Sequence, residues 1–206
     1  MHPWLAQYTI GWQLTGELQS DVIRFLAAND SDDTDTHCLR VGAASRRLAE
    51  QYGADPDQAE IAGWLHDISK VIPNKQRLQA AVALGLEILP EEAAFPMILH
   101  QKLSVEIARD LFDVYQPAVL SAIGCHTTLK PVATLLDQVV FLADKLEWDG
   151  EGMPPYLPAV LAGLPHSLER GVFAYLDYIW QQRSTLRCLH PWLAAAHRQL
   201  AAIISA

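Results

Sequence analysis

The sequence has no apolar run near the roughly 20 residues that a bilayer crossing requires. Its longest candidates are broken by Glu87 or by Asp144 and Lys145, so no membrane partner is expected. The start, Met1-His2-Pro3-Trp4, has neither a basic leader nor an unbroken apolar stretch, which predicts no secretion signal. Basic residues are scarce: 15 Lys and Arg against 24 Asp and Glu leave a net charge of −9 with His neutral. A groove that tracks long nucleic acid needs the opposite balance, whereas a small anionic ligand needs only one locally basic pocket. Three cysteines, Cys38, Cys125 and Cys188, lack CxxC spacing and cannot all pair. They read as reduced thiols of a cytoplasmic protein, acting as small buried residues. Internal repeats, low-complexity tracts and strand-like alternation of Val, Ile and Thr are all missing.

What is present is helical spacing. Half of the 206 residues are apolar, and they recur at three and four along the whole chain, so the expected class is all-α in a single domain, 1–206. A polar loop at Asn29 to Thr36 precedes a helix from His37 to Tyr52, in which His37, Val41, Ala44 and Leu48 share a stripe and Gly53 is the stop. Asp55-Pro56-Asp57-Gln58 is a strong start signal for a helix reaching about Asp67. One face of that helix, Ala59, Ala62, Gly63 and His66, is small enough to admit another backbone. Further helices are expected from Asn74 to Leu84, from Pro90, from about Ile98 to Phe112, from Pro117, and from Pro131 to Trp148, the last apolar almost all round. Helices near Pro165 to Arg183 and Pro191 to Ile204 complete the chain. Trp180, Trp192 and the aromatic cluster from Tyr175 read as packing, although an apolar helix face seals a homodimer as readily as a core.

Four histidines, His37, His66, His100 and His126, fall on the inward stripe of four different predicted helices, and Asp67 and Asp144 lie in comparably apolar settings. Any one such histidine is most often a structural core residue. The group is harder to explain that way, because buried carboxylates need a cation or several donors. A metal ion supplies that charge, and imidazole with carboxylate suits Fe, Mn, Ni, Zn or Mg. Six donors exceed what one tetrahedral structural zinc uses. A two-metal site with a bridging aspartate and a water-derived hydroxide would clamp phosphoryl oxygens. His166, His190 and His197, amid polar neighbours, are expected at the surface or at helix ends.

The order His37, His66-Asp67, Asp144 resembles the signature of HD-domain metal-dependent phosphohydrolases. His100 and His126, with Gly63-Trp64-Leu65-His66-Asp67-Ile68-Ser69-Lys70, Cys125-His126-Thr127-Thr128 and Phe141-Leu142-Ala143-Asp144-Lys145-Leu146-Glu147, narrow the likeness to the YqeK-type branch. The resemblance covers about Val22 to Glu147 and implies a single-domain HD-type helical bundle, its site core at about 22–147 and C-terminal helices at about 158–204 packed on it. It also implies symmetrical hydrolysis of diadenosine tetraphosphate to two ADP with two divalent ions, iron foremost. Carried across, it gives His37, His66, Asp67 and Asp144 to one metal and Asp67, His100 and His126 to the other, with Asp67 as the bridge. The partner is then a small nucleotide or dinucleoside polyphosphate.

Lys70, three residues after Asp67, is placed to hold a phosphate oxygen or the metal-binding carboxylate, and Thr127 to meet phosphate. The chain departs from the branch at Leu129, where Gly is usual, and at Trp148-Asp149-Gly150, where Pro and a nearby Arg are usual. The first change removes backbone freedom and the second a bidentate phosphate partner. Trp148 is expected to fill the core, the alternative being that it flanks a base. A nucleotidase or phosphomonoesterase, or a non-catalytic metal-dependent nucleotide-binding regulator, would use the same six residues.

Overall fold

Start and stop signals in the sequence set most helix boundaries. In the computed structural model, which describes residues 1–205, Asp55 Oδ1 accepts the backbone N–H of Asp57 and of Gln58 at 3.0 Å each, and the helix begins at Pro56. The order is α1 (Leu18–Ala28), α2 (Asp32–Tyr52), α3 (Pro56–Leu65), α4 (Arg77–Ala83), α5 (Pro90–Ala94), α6 (His100–Phe112), α7 (Pro117–Cys125), α8 (Leu135–Leu146), α9 (Leu157–Gly163), α10 (Leu168–Gln181) and α11 (Pro191–Ser205). Short 3-10 turns lie at Pro3–Thr9, Ile68–Val71, Asn74–Gln76 and Pro96–Leu99, and no strand occurs among the described residues.

The small face of α3 lies against α2 at backbone distance. A Cβ on Gly63 would sit 2.6 Å from Gly42 Cα, so glycine is required at this crossing. α8 runs through the middle, with Val139, Val140, Phe141, Leu142 and Ala143 fully buried, and α2, α3 and α7 pack around it. α10 covers its other side, where Phe141 meets Tyr175 edge-on at 5.5 Å. At the N-terminal end Trp12, Phe25 and Phe112 pack with ring centroids 5.1 to 5.3 Å apart.

Several boundaries differ from expectation. α2 begins at Asp32, inside the segment expected to be a loop. α8 begins at Leu135, because Thr134 and Asp137 form a reciprocal cap there; the residues just before it are in turns, with Val132 at φ 55°. α1 carries no side-chain cap and was not foreseen, whereas α9, with Pro158 in its first turn, opens the C-terminal helical region expected from about 158. His190 stands at a helix end as expected, just before α11, but it and His197 are buried, at 2% and 8% exposure, rather than superficial. A carboxylate explains each: Glu92 Oε1 is 3.3 Å from His190 Nε2 and Asp177 Oδ1 is 3.0 Å from His197 Nε2. His166 is exposed, as expected.

Candidate metal centre

His37 lies in the second turn of α2, His66 is the residue that ends α3, His100 opens α6, His126 ends α7 and Asp144 is in the last turn of α8. Asp67 follows His66 at φ −108°, ψ 12°, a tight bend between α3 and the next 3-10 turn. Each of three histidines turns its Nδ1 to the carbonyl three residues back: His66 is 2.7 Å from Gly63 O, His100 2.7 Å from Met97 O, and His126 2.8 Å from Ile123 O. A carbonyl only accepts, so each Nδ1 carries the proton and each Nε2 presents a lone pair.

Those lone pairs converge. Nε2 of His100 and His126 are 3.0 Å apart, and Nε2 of His66 and His37 are 3.3 Å apart. Asp67 stands between the two pairs. Its Oδ2 is 3.3 Å from His66 Nε2 and 3.8 Å from His37 Nε2, while its Oδ1 is 3.4 Å from His100 Nε2 and 3.7 Å from His126 Nε2. Asp144 Oδ1 adds contacts of 3.2 Å to His37 and 3.4 Å to His66. Asp67 Oδ1 is sealed from solvent without a hydrogen-bond donor. Facing lone pairs and a donorless buried carboxylate oxygen fit a cation between them. Among the described residues, three groupings have ligand atoms within 4.8 Å of one another: His37–His66–Asp67, His66–His126–Asp144 and Asp67–His100–His126.

The electrostatics agree. Burial drives His100 down to about 3 despite Asp67, and burial also lowers His126. Burial opposes ionisation of Asp67, but the surrounding imidazoles, His66 first, hold its carboxyl well below the usual range. Asp144 is held low against burial by Lys145, His37 and His66. At His66 burial is outweighed by Asp67 and Asp144, which push the imidazole well above its usual value. The cluster thus demands positive charge at its centre, and a proton or a metal ion meets that demand.

The surrounding cleft has a volume of about 590 Å³. Lys70 Nζ lies 2.6 Å from Asp67 Oδ2, and Lys145 pairs with Asp144 while donating to His126 O at 3.1 Å. Thr127 Oγ1 is 2.9 Å from His100 Nε2 and faces the cleft. Thr128 instead bonds Gln101 in the interior at 3.1 Å. Cys38 and Cys125 are buried and belong to none of the metal-capable groupings.

Three features depart from the leading expectation. Trp148 is 50% exposed and lines the cleft rather than filling the core, because the segment after α8 carries it out over the site. Asp149 Oδ2 comes within 2.7 Å of His37 Nδ1, an ion-pair contact rather than an aligned hydrogen bond, and Asp149 also pairs with Arg40. Its place beside Trp148 and Gly150 in an unusual stretch was the only available signal. Leu129 adopts φ 48°, so the left-handed turn after His126 exists here without glycine. The strain of order 1 kcal/mol is set against complete burial of its side chain.

The HD domain family profile matches residues 34–149, more than half of the chain. The chain belongs to the HD-domain family. Among HD-domain relatives, a Lactococcus lactis subsp. cremoris protein described only as uncharacterized in the pepC 5′ region is 46% identical over 143 residues, covering 69% of this chain and 72% of that one. The symmetrical bis(5′-nucleosyl)-tetraphosphatase of Bacillus subtilis is 31% identical over 113 residues, 54% of this chain and 59% of that enzyme. The crystal structure of a predicted HD superfamily hydrolase involved in NAD metabolism from Clostridium acetobutylicum superposes with a TM-score of 0.80 at 24% identity, over 89% of this chain and 97% of that one. The last comparison establishes the shared fold. HD domains bind divalent metals, and the His/Asp groupings can hold them.

Proposed function

We propose that this HD-domain protein is a metal-dependent phosphohydrolase that cleaves a nucleotide phosphoanhydride, with diadenosine tetraphosphate, split symmetrically into two ADP, as its substrate. One observation carries the reading: Asp67 turns one oxygen to His37 and His66 and the other to His100 and His126. A carboxylate so placed would serve two cations, one held by His37, His66 and Asp144 and the other by His100 and His126. Iron is the metal favoured by the likeness to the YqeK-type branch. Divalent ions bound there supply Lewis acidity and a water of lowered pKa.

The chain's own contribution is charge and position. The backbone carbonyls at Gly63, Met97 and Ile123 fix three imidazole planes before substrate arrives, so little reorganisation is needed at the moment of reaction. Lys70 holds Asp67 and borders the cleft, where its ammonium offsets charge that builds on the departing diphosphate. Thr127 offers a hydroxyl to a phosphate oxygen. Trp148, Tyr156 and Tyr175 form an aromatic wall, with Tyr156 and Tyr175 edge-on at 4.9 Å, suited to a nucleobase. The symmetrical tetraphosphatase name of the Bacillus relative supports the substrate.

Incubation of metal-replete protein with diadenosine tetraphosphate and, separately, with a panel of mononucleotides tests this. ADP is expected as the sole nucleotide product, without orthophosphate. Orthophosphate as the only phosphorus product, from either class of substrate, overturns symmetrical anhydride cleavage.

A further inference from the structure

Arg77, the first residue of α4, is a buried cation with only 8% of its surface exposed. Its Nε donates to Ile72 O at 3.2 Å and its Nη1 to Met97 O at 3.1 Å. Nη2 makes no hydrogen bond within the protein, and no carboxylate lies within ion-pairing distance of the guanidinium among the described residues. Burying a charge without an ion-pair partner is costly, and only the Asp67 carboxylate, beyond ion-pairing distance, offsets the effect of burial, so in a chain of net charge −9 the arrangement calls for an explanation. The guanidinium borders a second cavity, of about 470 Å³, with Thr34, Lys70 and Asn74. Met97 and His100 complete its wall, and Lys70, Met97 and His100 also border the metal cleft, so the two cavities are neighbouring lobes around one set of side chains. Of the acidic residues around Thr34, Asp30 and Asp33 line a neighbouring cavity that Thr34 also borders, and Asp35 accepts the Thr36 hydroxyl at 2.9 Å; none of these three lines the lobe that holds Arg77. The side chains of Thr34 and Asn74 make no hydrogen bond within the protein among the described residues.

We infer that the lobe formed by Arg77, Lys70, Asn74 and Thr34 is an anion subsite that takes a phosphate group of the bound ligand other than the one held at the His/Asp cluster. A guanidinium fixed by two backbone carbonyls is pre-organised, so its free edge meets a phosphate oxygen with little entropy loss. Lys70 stands where the lobes meet and adds the second positive charge. Asn74 and Thr34 supply donors at the rim. The consequence is preference for a chain of phosphates over a single one. The biological occupant rests on the phosphoanhydride reading given above; the anion site itself does not.

The probes are inorganic orthophosphate, pyrophosphate and tripolyphosphate, titrated calorimetrically into the full-length, manganese-loaded protein and its variants. Affinity is expected to rise at least tenfold from orthophosphate to tripolyphosphate. Arg77→Gln should remove most of that gain and leave orthophosphate binding within twofold, at unchanged metal content by elemental analysis. Arg77 also shares the Met97 carbonyl with His100, so a structural role could disturb the metal site. The double variant Thr34→Ala/Asn74→Ala touches no such bond and should cut tripolyphosphate affinity about threefold, with orthophosphate unchanged. A wild-type affinity indifferent to chain length, equal losses for all three anions in Arg77→Gln, or no effect of the double variant overturns the subsite. Symmetrical cleavage of diadenosine tetraphosphate without chain-length preference would sink the subsite and spare the function. The reverse result would sink the function and spare the subsite.

Discussion

His190 and His197, at 2% and 8% exposure, are as deeply buried as the histidines of the cleft, which range from 0% to 9%, yet their surroundings are of another kind. His190 accepts the Trp192 backbone N–H at Nδ1 and meets Glu92 at Nε2. His197 meets Asp177 and lies face to face with Trp180 and Phe173, ring centroids 4.8 and 5.4 Å away. In the cleft, by contrast, Nε2 faces Nε2 with only the Asp67 carboxylate between the pairs. Burial therefore does not separate a histidine placed to hold a metal from a structural one. Convergence of several imidazole Nε2 atoms on shared carboxylates does.

The comparison breaks most visibly at Asp67. Asp67→Ala is expected to strip metal from both histidine pairs and to lower turnover of diadenosine tetraphosphate by at least about 10³-fold, on the scale of losing electrostatic stabilisation at a reacting centre. The fold should persist, because the deletion relieves buried charge. Elemental analysis beside a circular dichroism melt checks both halves. Retention of metal and full activity would remove Asp67 from the centre of the site.

Glu92 tests the other kind of histidine. Its carboxyl is completely buried; burial raises its pKa, but His190, the Leu89 N–H and Lys102 outweigh that and bring it from 4.5 to about 2. A carboxyl held lower in the folded than in the unfolded chain stabilises fully above about 4.5, and that stabilisation fades as pH falls towards 2. Glu92→Gln should cost up to about 3 kcal/mol at pH 7, on that linkage, while metal content per chain stays that of the wild type. Urea unfolding at pH 7 and at pH 3 should show the gap between the two proteins narrowing at the lower pH. A gap that is constant with pH would mean that charge at Glu92 contributes nothing.

Much of the molecule was legible in the sequence. Small residues at Ala59, Ala62 and Gly63 announced a close helix contact, and the Asp55-Pro56 start lies where its chemistry requires. The six donor residues could be selected because their polarity conflicts with apolar neighbours on four helical stripes. Other features depend on tertiary partners without a local signature. His190 and His197 looked superficial because the carboxylates that make their burial tolerable are 98 and 20 residues away. Arg77 opens an ordinary short helix, and only the carbonyls of Ile72 and Met97 show that it points inward. Asp149 stood out only as a departure from the branch pattern, because its partner, His37, is in α2.

His37 sharpens the comparison further, since it sits in the cleft without the backbone anchor that holds the other three. A carbonyl anchor is part of a helix end and cannot move without the helix. Asp149 is half exposed and sits beyond the end of α8, tied mainly by Arg40, so the orientation it gives His37 depends on a surface ion pair. Outer partners of metal-binding histidines typically change metal affinity by 10- to 100-fold, and a partner this exposed belongs at the low end. Asp149→Asn should therefore weaken manganese binding by about tenfold, read by competition with a chelator, without changing the melting temperature of the metal-free protein. Because the Arg40 pair is screened by salt, about 0.5 M NaCl should reproduce part of that loss in the wild type and add little in the variant. Equal salt sensitivity of the two would show that His37 is held by the packing of α2 alone, and the fourth histidine would then differ from the other three only in its anchor's chemistry.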